Sequence, residues 1–400
     1  MTDKRITVDN IRWHSVLPWL HLLRAMQLAL RIRVVLVALC AVVVFGVGEI
    51  AIRRLPFHEA REAPGTIYHA LAATLPVQES VRIPTLSLSA STDESRMWLV
   101  WPWITVAVPA NGLFQSGQVT WSNIAARWTE LLWAMLVWAI FGGAIARMHA
   151  VRFARDESVS PGVAVRFSSR LWSSYLYGPL LPMLGVGGLS LIGMSVGALD
   201  SWLGGGRGSW LSALGWLPVL ASLVMAMLLI VLAASWPLMV AAISVEGSDG
   251  FDGLSRAFGY VMNRLWSYVC LVGLAFGLGV LLTSLLSLFF HFSLRLAEWS
   301  IGGHGELHET RQFENWYAFV NFLDLAVLVS YFWSATTVIY FLLRQSDDGT
   351  PLDQVYIPGP PPKAEPLPLV GVAASQQPVI ERPVTEHVAT DGSPIAATES

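Results

Sequence analysis

Six long apolar blocks constrain this chain more tightly than any other feature. They cover residues 34–51, 131–146, 176–199, 211–244, 267–292 and 317–343. Each reaches or approaches the ~20 residues that carry a helix across the hydrocarbon of a bilayer. No water there satisfies a backbone N–H or C=O, so a spanning segment must close its hydrogen bonds within itself. The expected fold is an all-α integral membrane domain over residues 34–345, with six transmembrane helices. The totals agree: 54% of residues are hydrophobic and 13% charged, against about 25% charged in soluble domains.

Both cysteines, Cys40 and Cys270, fall inside apolar blocks, so no disulfide framework is implied. The net charge of -3 gives no footing for a nucleic-acid partner. The first block is followed by Gly48-Glu49-Ile50-Ala51-Ile52-Arg53-Arg54, with no small-x-small cleavage site, and is expected to be retained as a span.

Residues 1–33 form the first soluble segment. His21, Arg24, Gln27 and Arg31 mark one helical face, and Leu20, Leu23, Met26 and Leu30 the other. With Trp13 and Trp19 nearby, this pattern predicts a helix in the membrane interface. Residues 52–130 form the longest loop. Within it, Val81–Ser89 alternates as a short strand would, and Trp98-Leu-Val-Trp101-Pro-Trp103 opens an apolar run to Pro109 that is too short to span. That run reads as interfacial or re-entrant.

Gly193/Gly197 and Gly273/Gly277 are small residues four apart. They are expected to be packing seams inside the bundle, since close backbone approach holds helices together in lipid. Pro237 should kink the fourth block. Residues 346–400, rich in proline from Pro351 to Pro394, are expected to be a disordered tail that offers a site for protein partners.

Orientation follows from Lys and Arg. With the N-terminus inside, the inner segments carry 16 and the outer segments 9, which predicts N-in and C-in. Arg53 and Arg54, directly after the first block, run against that assignment.

An internal repeat adds detail. Three apolar blocks run into acidic turns, at Asp156-Glu157, Ser248-Asp249-Gly250 and Asp347-Asp348-Gly349. Two of these continue through a polar helix into Arg170-Leu-Trp-Ser173 and Arg264-Leu-Trp-Ser267. Asp or Ser suits the N-cap of the helix that follows, Asp252 and Arg256 stand four apart on it, and an Arg-Trp pair suits re-entry into lipid. The expected arrangement is three helical hairpins joined by amphipathic cytoplasmic linker helices.

Gly142-Gly-Ala-Ile-Ala-Arg147, Ala154-Arg-Asp-Glu157, Phe167 and Pro179-Leu-Leu-Pro182 also carry a resemblance. They resemble the shared pattern of a group of uncharacterised bacterial multi-pass membrane proteins, over about residues 98–350. The resemblance implies a bacterial inner membrane location and no particular activity. The Asp249–Tyr268 segment is loosely similar to membrane domains attached to some glycerophosphodiester phosphodiesterases. The sequence holds no catalytic phosphodiesterase domain, so no hydrolase activity is implied.

Reactive constellations are scarce. There is no P-loop and no His-Glu-x-x-His; His58-Glu59-Ala-Arg-Glu62 ends in glutamate instead. His58, Glu59, Glu62 and His69, with His304, Glu306, His308 and Glu309, gather imidazole and carboxylate on the outer side. His304 and His308 share a helical face that suits a divalent metal, but a solvated polar loop accounts for them better. No cofactor and no metal are expected.

Asp324 is the candidate polar centre, because an acid at membrane depth is costly and therefore a functional candidate. Asn321, Tyr331 and Ser334 fall on a similar side of its helix, and Thr283, Ser284, Ser287 and His291 lie at comparable depth or nearer the surface on the preceding one. The favoured account is structural: Asp324 bonds the hydroxyls of the fifth span and locks two helices. The expected function is a non-enzymatic membrane scaffold or accessory subunit, with the lipid bilayer as its first partner. The alternative is a small-molecule or ion transporter component.

Overall fold

The computed structural model describes residues 18–56, 98–114, 121–202, 215–300, 311–357, 369–372 and 378–381. The chain divides into two units, Met1–Tyr356 and Ile357–Ser400. In the second, Leu369–Val372 (β1) pairs antiparallel with Pro378–Glu381 (β2), Val370 opposite Ile380. The expected strand at Val81–Ser89 and the first seventeen residues, with Trp13, lie outside the described residues.

The first unit is helical. In order it holds α1 (His21–Ala29), α2 (Ile32–Arg53), α3 (Trp101–Gly112), α4 (Trp121–Val137), α5 (Gly143–Arg155), α6 (Pro161–Arg170), α7 (Trp172–Trp202), α8 (Trp216–Glu246), α9 (Gly250–Asn263), α10 (Leu265–Ser300) and α11 (Arg311–Asp348). A single π-turn, Trp138–Gly142, joins α4 to α5 without a break. Six helices are long and apolar enough to cross a membrane: Ile32–Arg53, Trp121–Arg155, Trp172–Leu199, Trp216–Glu246, Leu265–Ala297 and Phe319–Asp348. They coincide with the six apolar blocks, so the chain is an all-α, multi-pass membrane protein. The second span starts at Trp121, which removes ten residues from the loop expected to reach residue 130.

Span six, within α11, is the central column. It is buried almost all round, with α1, α2, α5, α8 and α10 packed against it. Spans one and two are buried to a lesser degree; span three is covered mainly by span four and α9, and span four is exposed over its first half and buried against α5, α9 and α11 over its second. The amphipathic N-terminal helix α1 does not lie free in an interface. Its Leu22, Ala25, Leu28 and Ala29 are buried, and Ser334 and Ser330 of span six donate to the carbonyls of Ala25 (3.0 Å) and Ala29 (2.9 Å).

Lipid tails are as apolar as leucine, so burial from water does not drive these helices together; packing and interhelical hydrogen bonds do. The packing centre is a cluster of rings. Trp138 lies 5.6 Å from Trp101, 6.4 Å from Phe45 and 6.0 Å from Trp333, which in turn lies 5.8 Å from Trp236. Each such pair is worth about 0.5–1.5 kcal/mol beyond simple contact. Trp138 sits in the π-turn and donates to Thr105 Oγ1 at 2.8 Å. Gly142 closes that turn, and a Cβ there would fall 2.6 Å from the Trp333 ring.

The apolar run at Trp98–Pro109 proves to be helical, as α3, and is built into this cluster through Trp101, Ile104 and Thr105. It also serves Pro237. Proline has no N–H, so the carbonyl four residues earlier loses its helical donor. That carbonyl belongs to Ala233 and accepts instead from Trp103 Nε1 at 2.9 Å. The next, Ala234 O, accepts from Tyr268 at 2.7 Å. The helix therefore runs unbroken through Pro237.

Two expectations are corrected here. The glycines at 197, 273 and 277 are not packing seams of this chain: a Cβ at any of them would meet nothing, and at Gly193 only Pro218 at 3.9 Å. The close approaches are made elsewhere, notably at Gly250, where a Cβ would fall 2.2 Å from the Ser174 carbonyl. Second, a free tail does not begin at Ser346. Helix α11 runs to Asp348, and residues 351–356 fold back as a strap on the bundle, with Val355 buried and the Tyr356 N–H donating to Val245 O at 2.9 Å.

Candidate functional site: a polar end plate and a lone intramembrane acid

Helices α5, α8 and α11 each end in a left-handed residue, Asp156 (φ 60°), Gly247 (φ 64°) and Gly349 (φ 67°). Asp156 is thus a terminator of the helix before it rather than a cap of the one after. Asp249 does cap α9, accepting from the Asp252 N–H at 2.8 Å.

The charges near these ends form a connected plate. Glu246 sits at its centre. It accepts from Tyr340 Oη at 2.5 Å and pairs with Arg256 at 2.8 Å and with Arg344 at 3.4 Å. Arg256 also donates to Asp252 at 3.1 Å, and although burial pulls its pKa down, that hydrogen bond and the charges of Glu246 and Asp252 win and raise it. Arg344 donates to the strap carbonyls of Gln354 (2.6 Å) and Pro351 (3.3 Å). Arg147, buried, donates to Ser244 O at 2.9 Å and to Tyr356 O, with its guanidinium 4.5 Å from the centre of the Phe167 ring. Arg264 pairs with Asp347 at 3.3 Å, and Tyr260 donates to Asp348. Burial, then the Asp348 partner, raises the Tyr260 phenol pKa. Apart from the Asp252–Arg256 pair, which lies within α9, these contacts fasten one element to another. The plate is structural, and the sequence reading missed it because these charges looked like membrane anchors.

A second charged group lies at the opposite end of span two. Arg127 and Glu130 pair at 3.0 Å, both buried, and Glu49 of span one is buried with Arg53 3.8 Å away. Gly112 leaves room for the Arg127 guanidinium, because a Cβ there would fall 2.6 Å from its Nε.

The sequence-derived site is looser. Helix α11 begins at Arg311, so Asp324 stands ~20 Å along it. Its side chain is half-buried, and Oδ1 is buried without a hydrogen-bond partner. The expected lock to span five is not formed: Thr283 donates to its own helix at Gly279 O (2.9 Å), and Ser284 to Val280 O (2.8 Å). Asn321, Ser287 and His291 are half-buried. No hydrogen bond joins any two of Asp324, Asn321, Thr283, Ser287 and His291. The link between spans five and six is made by Tyr331, which donates to Ala275 O at 2.6 Å, while Ser334 turns away to α1.

Beside Tyr331 lies an apolar cavity of about 530 Å³ between α3, α8, α10 and α11. Asp324 does not line it. Among the described residues no group of three or more His, Cys, Asp or Glu is placed to hold a metal. His58, Glu59, Glu62, His69, His304, Glu306, His308 and Glu309 lie outside the described residues.

Comparisons with protein-family models, curated proteins and solved structures found no match to this chain.

Proposed function

We propose that this protein is a non-enzymatic membrane scaffold or accessory subunit. The observation that carries the reading is how unevenly the spans are covered. Spans one, two and six are packed among themselves, while spans three, four and five turn long apolar faces outward. On those faces the glycines at 185, 188, 197, 273 and 277 stand open. Small residues are what a neighbouring transmembrane helix needs for close approach. The polar groups at the Glu246 end are used in holding the chain together, which suits a rigid platform.

The same reading takes the chain as N-in and C-in in a bacterial inner membrane, supported by the 16-to-9 distribution of Lys and Arg. It takes the three left-handed helix ends, with α6 and α9 following two of them, as support for three hairpins with linker helices. The resemblance to bacterial multi-pass membrane proteins agrees with this and adds no activity.

The test is assembly. Cysteines placed at Gly197 and Gly277 should crosslink to another polypeptide in native membranes, and leucine at both positions should release a single copy in mild detergent with its own fold intact. A wild-type chain that is already a single copy, uncrosslinked, would sink the scaffold reading.

The transporter alternative is favoured by one observation, the unpartnered Oδ1 of Asp324 at membrane depth. In proteoliposomes, a proton or cation flux abolished by Asp324→Asn in a normally folded protein would establish it. Equal passive leak in both would remove it.

A further inference from the structure

A cavity of about 400 Å³ lies where α1 turns into α2, closed on the other side by the last turns of α5 and the loop beyond. Arg31, Ile32, Arg33, His149, Arg152 and Ser158 are among its lining. Three of these six are arginines. Arg24 stands close by, paired with Asp156 at 2.9 Å, and Asp156 also faces Arg152 at 3.4 Å. One carboxylate thus serves two cations. Among the described residues, Arg31 and Arg33 close no ion pair at all. The surplus is felt at Arg31, whose pKa is lowered by partial burial and by the repulsion of Arg152 and Arg24, with Asp156 opposing.

His149 supplies an independent observation. It is 1% exposed, lines the cavity, and is near the Leu28 carbonyl, yet neither ring nitrogen makes a well-formed hydrogen bond. A buried polar ring without a full partner, beside uncompensated arginines, describes a place for an anion with several acceptor oxygens.

The surroundings decide which anion. Ile32 lines the cavity and is 77% exposed. Leu36, Val43 and Val47 are also exposed. Their spacing from Ile32 puts all four on one face of α2, a track of ~22 Å. The charged pocket therefore opens at the head of an apolar, outward-facing strip of a membrane span. A free phosphate has no use for such a strip, whereas a lipid tail does.

We propose that this pocket holds the phosphate of an anionic phospholipid, contacted by Arg31, Arg33 and Arg152, with an acyl chain along the Ile32–Val47 face. The site is independent of which side of the membrane the N-terminus occupies and of whether the protein is a scaffold or a transporter. Its ligand is a component of the bilayer itself, so occupancy would couple the α1–α2 elbow to the lipid composition around it.

The test uses the purified full-length chain, titrated with phosphatidylglycerol or phosphatidylcholine and followed by native mass spectrometry and thermal unfolding. Phosphatidylglycerol should bind and stabilise, and phosphatidylcholine should do so much less. R31Q/R33Q should weaken phosphatidylglycerol roughly thirtyfold, at about fivefold per arginine near a membrane surface, while R53Q/R54Q at the other end of span one should not. Should R31Q/R33Q fail to purify, Ser158→Asp sets a negative charge in the pocket and should give the same loss. Equal binding of the two lipids, or unchanged binding in R31Q/R33Q or Ser158→Asp, overturns the proposal. Inorganic phosphate that displaces the lipid at millimolar concentration would make the pocket a free-anion site and overturn the lipid assignment.

Discussion

Removing Arg147 tests whether the strap is part of the fold. Its guanidinium is 4% exposed and donates to the Ser244 carbonyl at 2.9 Å on α8 and to the Tyr356 carbonyl on the strap. It also stacks on Phe167 at 4.5 Å. Charge-assisted hydrogen bonds contribute about 1.5–3 kcal/mol each, and the stack adds about 0.5–2 kcal/mol. Alanine at this position also removes the cost of holding a charge out of water, which offsets part of the loss. A net ~3 kcal/mol against the closed strap remains, which is roughly 150-fold in its opening equilibrium. The Tyr356 N–H, bonded to Val245 O at 2.9 Å, is the reporter. Hydrogen exchange of residues 350–357 in detergent should show that protection falling by the same factor in Arg147→Ala. Arg147→Lys keeps the charge but cannot fork between two carbonyls, and should lose roughly tenfold. Tyr356 protection in Arg147→Ala within about threefold of wild type would refute the reasoning, because the strap would then be held without the arginine.

Further outcomes follow from single contacts. Trp103→Phe should destabilise the folded protein by about 1–3 kcal/mol by orphaning the Ala233 carbonyl. In a Pro237→Ala background, where the helix regains its own donor, the same change should cost little; additive losses in detergent unfolding would count against this account. Gly250→Ala should destabilise by more than about 2 kcal/mol through its clash with the Ser174 backbone. Gly259→Ala, on the same helix with open space around it, should be neutral or slightly stabilising, by up to ~1 kcal/mol. The Tyr260 phenol has its pKa raised in the fold, so its contribution is present below the unfolded value near 10 and is lost as pH rises through the folded value. Above pH 10, wild type should therefore lose stability faster than Tyr260→Phe, by up to about 1.4 kcal/mol per pH unit; parallel slopes would show that the phenol does not titrate with folding.

The six spans and the all-helical fold were legible in the amino-acid order alone, since a run of ~20 apolar residues has few ways to satisfy its backbone. The left-handed helix ends fell at or next to the polar turns marked from the sequence, and Asp249 and the Asp252–Arg256 pair behave as local rules require. Local chemistry did not show which spans lie inside. Spans three and six have the same mean hydropathy, 1.7, yet one is nearly bare and the other buried. The difference lies in which hydroxyls and rings find partners, such as Ser330 and Ser334 on α1 or Trp333 against Trp138. Nor did spacing reveal that Arg147, Glu246 and Arg344 would meet, or that Asp324 would miss the hydroxyls of span five. Periodicity determines what one helix is. Only the tertiary structure decides what its charges face, because in lipid every interhelical contact is a choice among equally apolar neighbours.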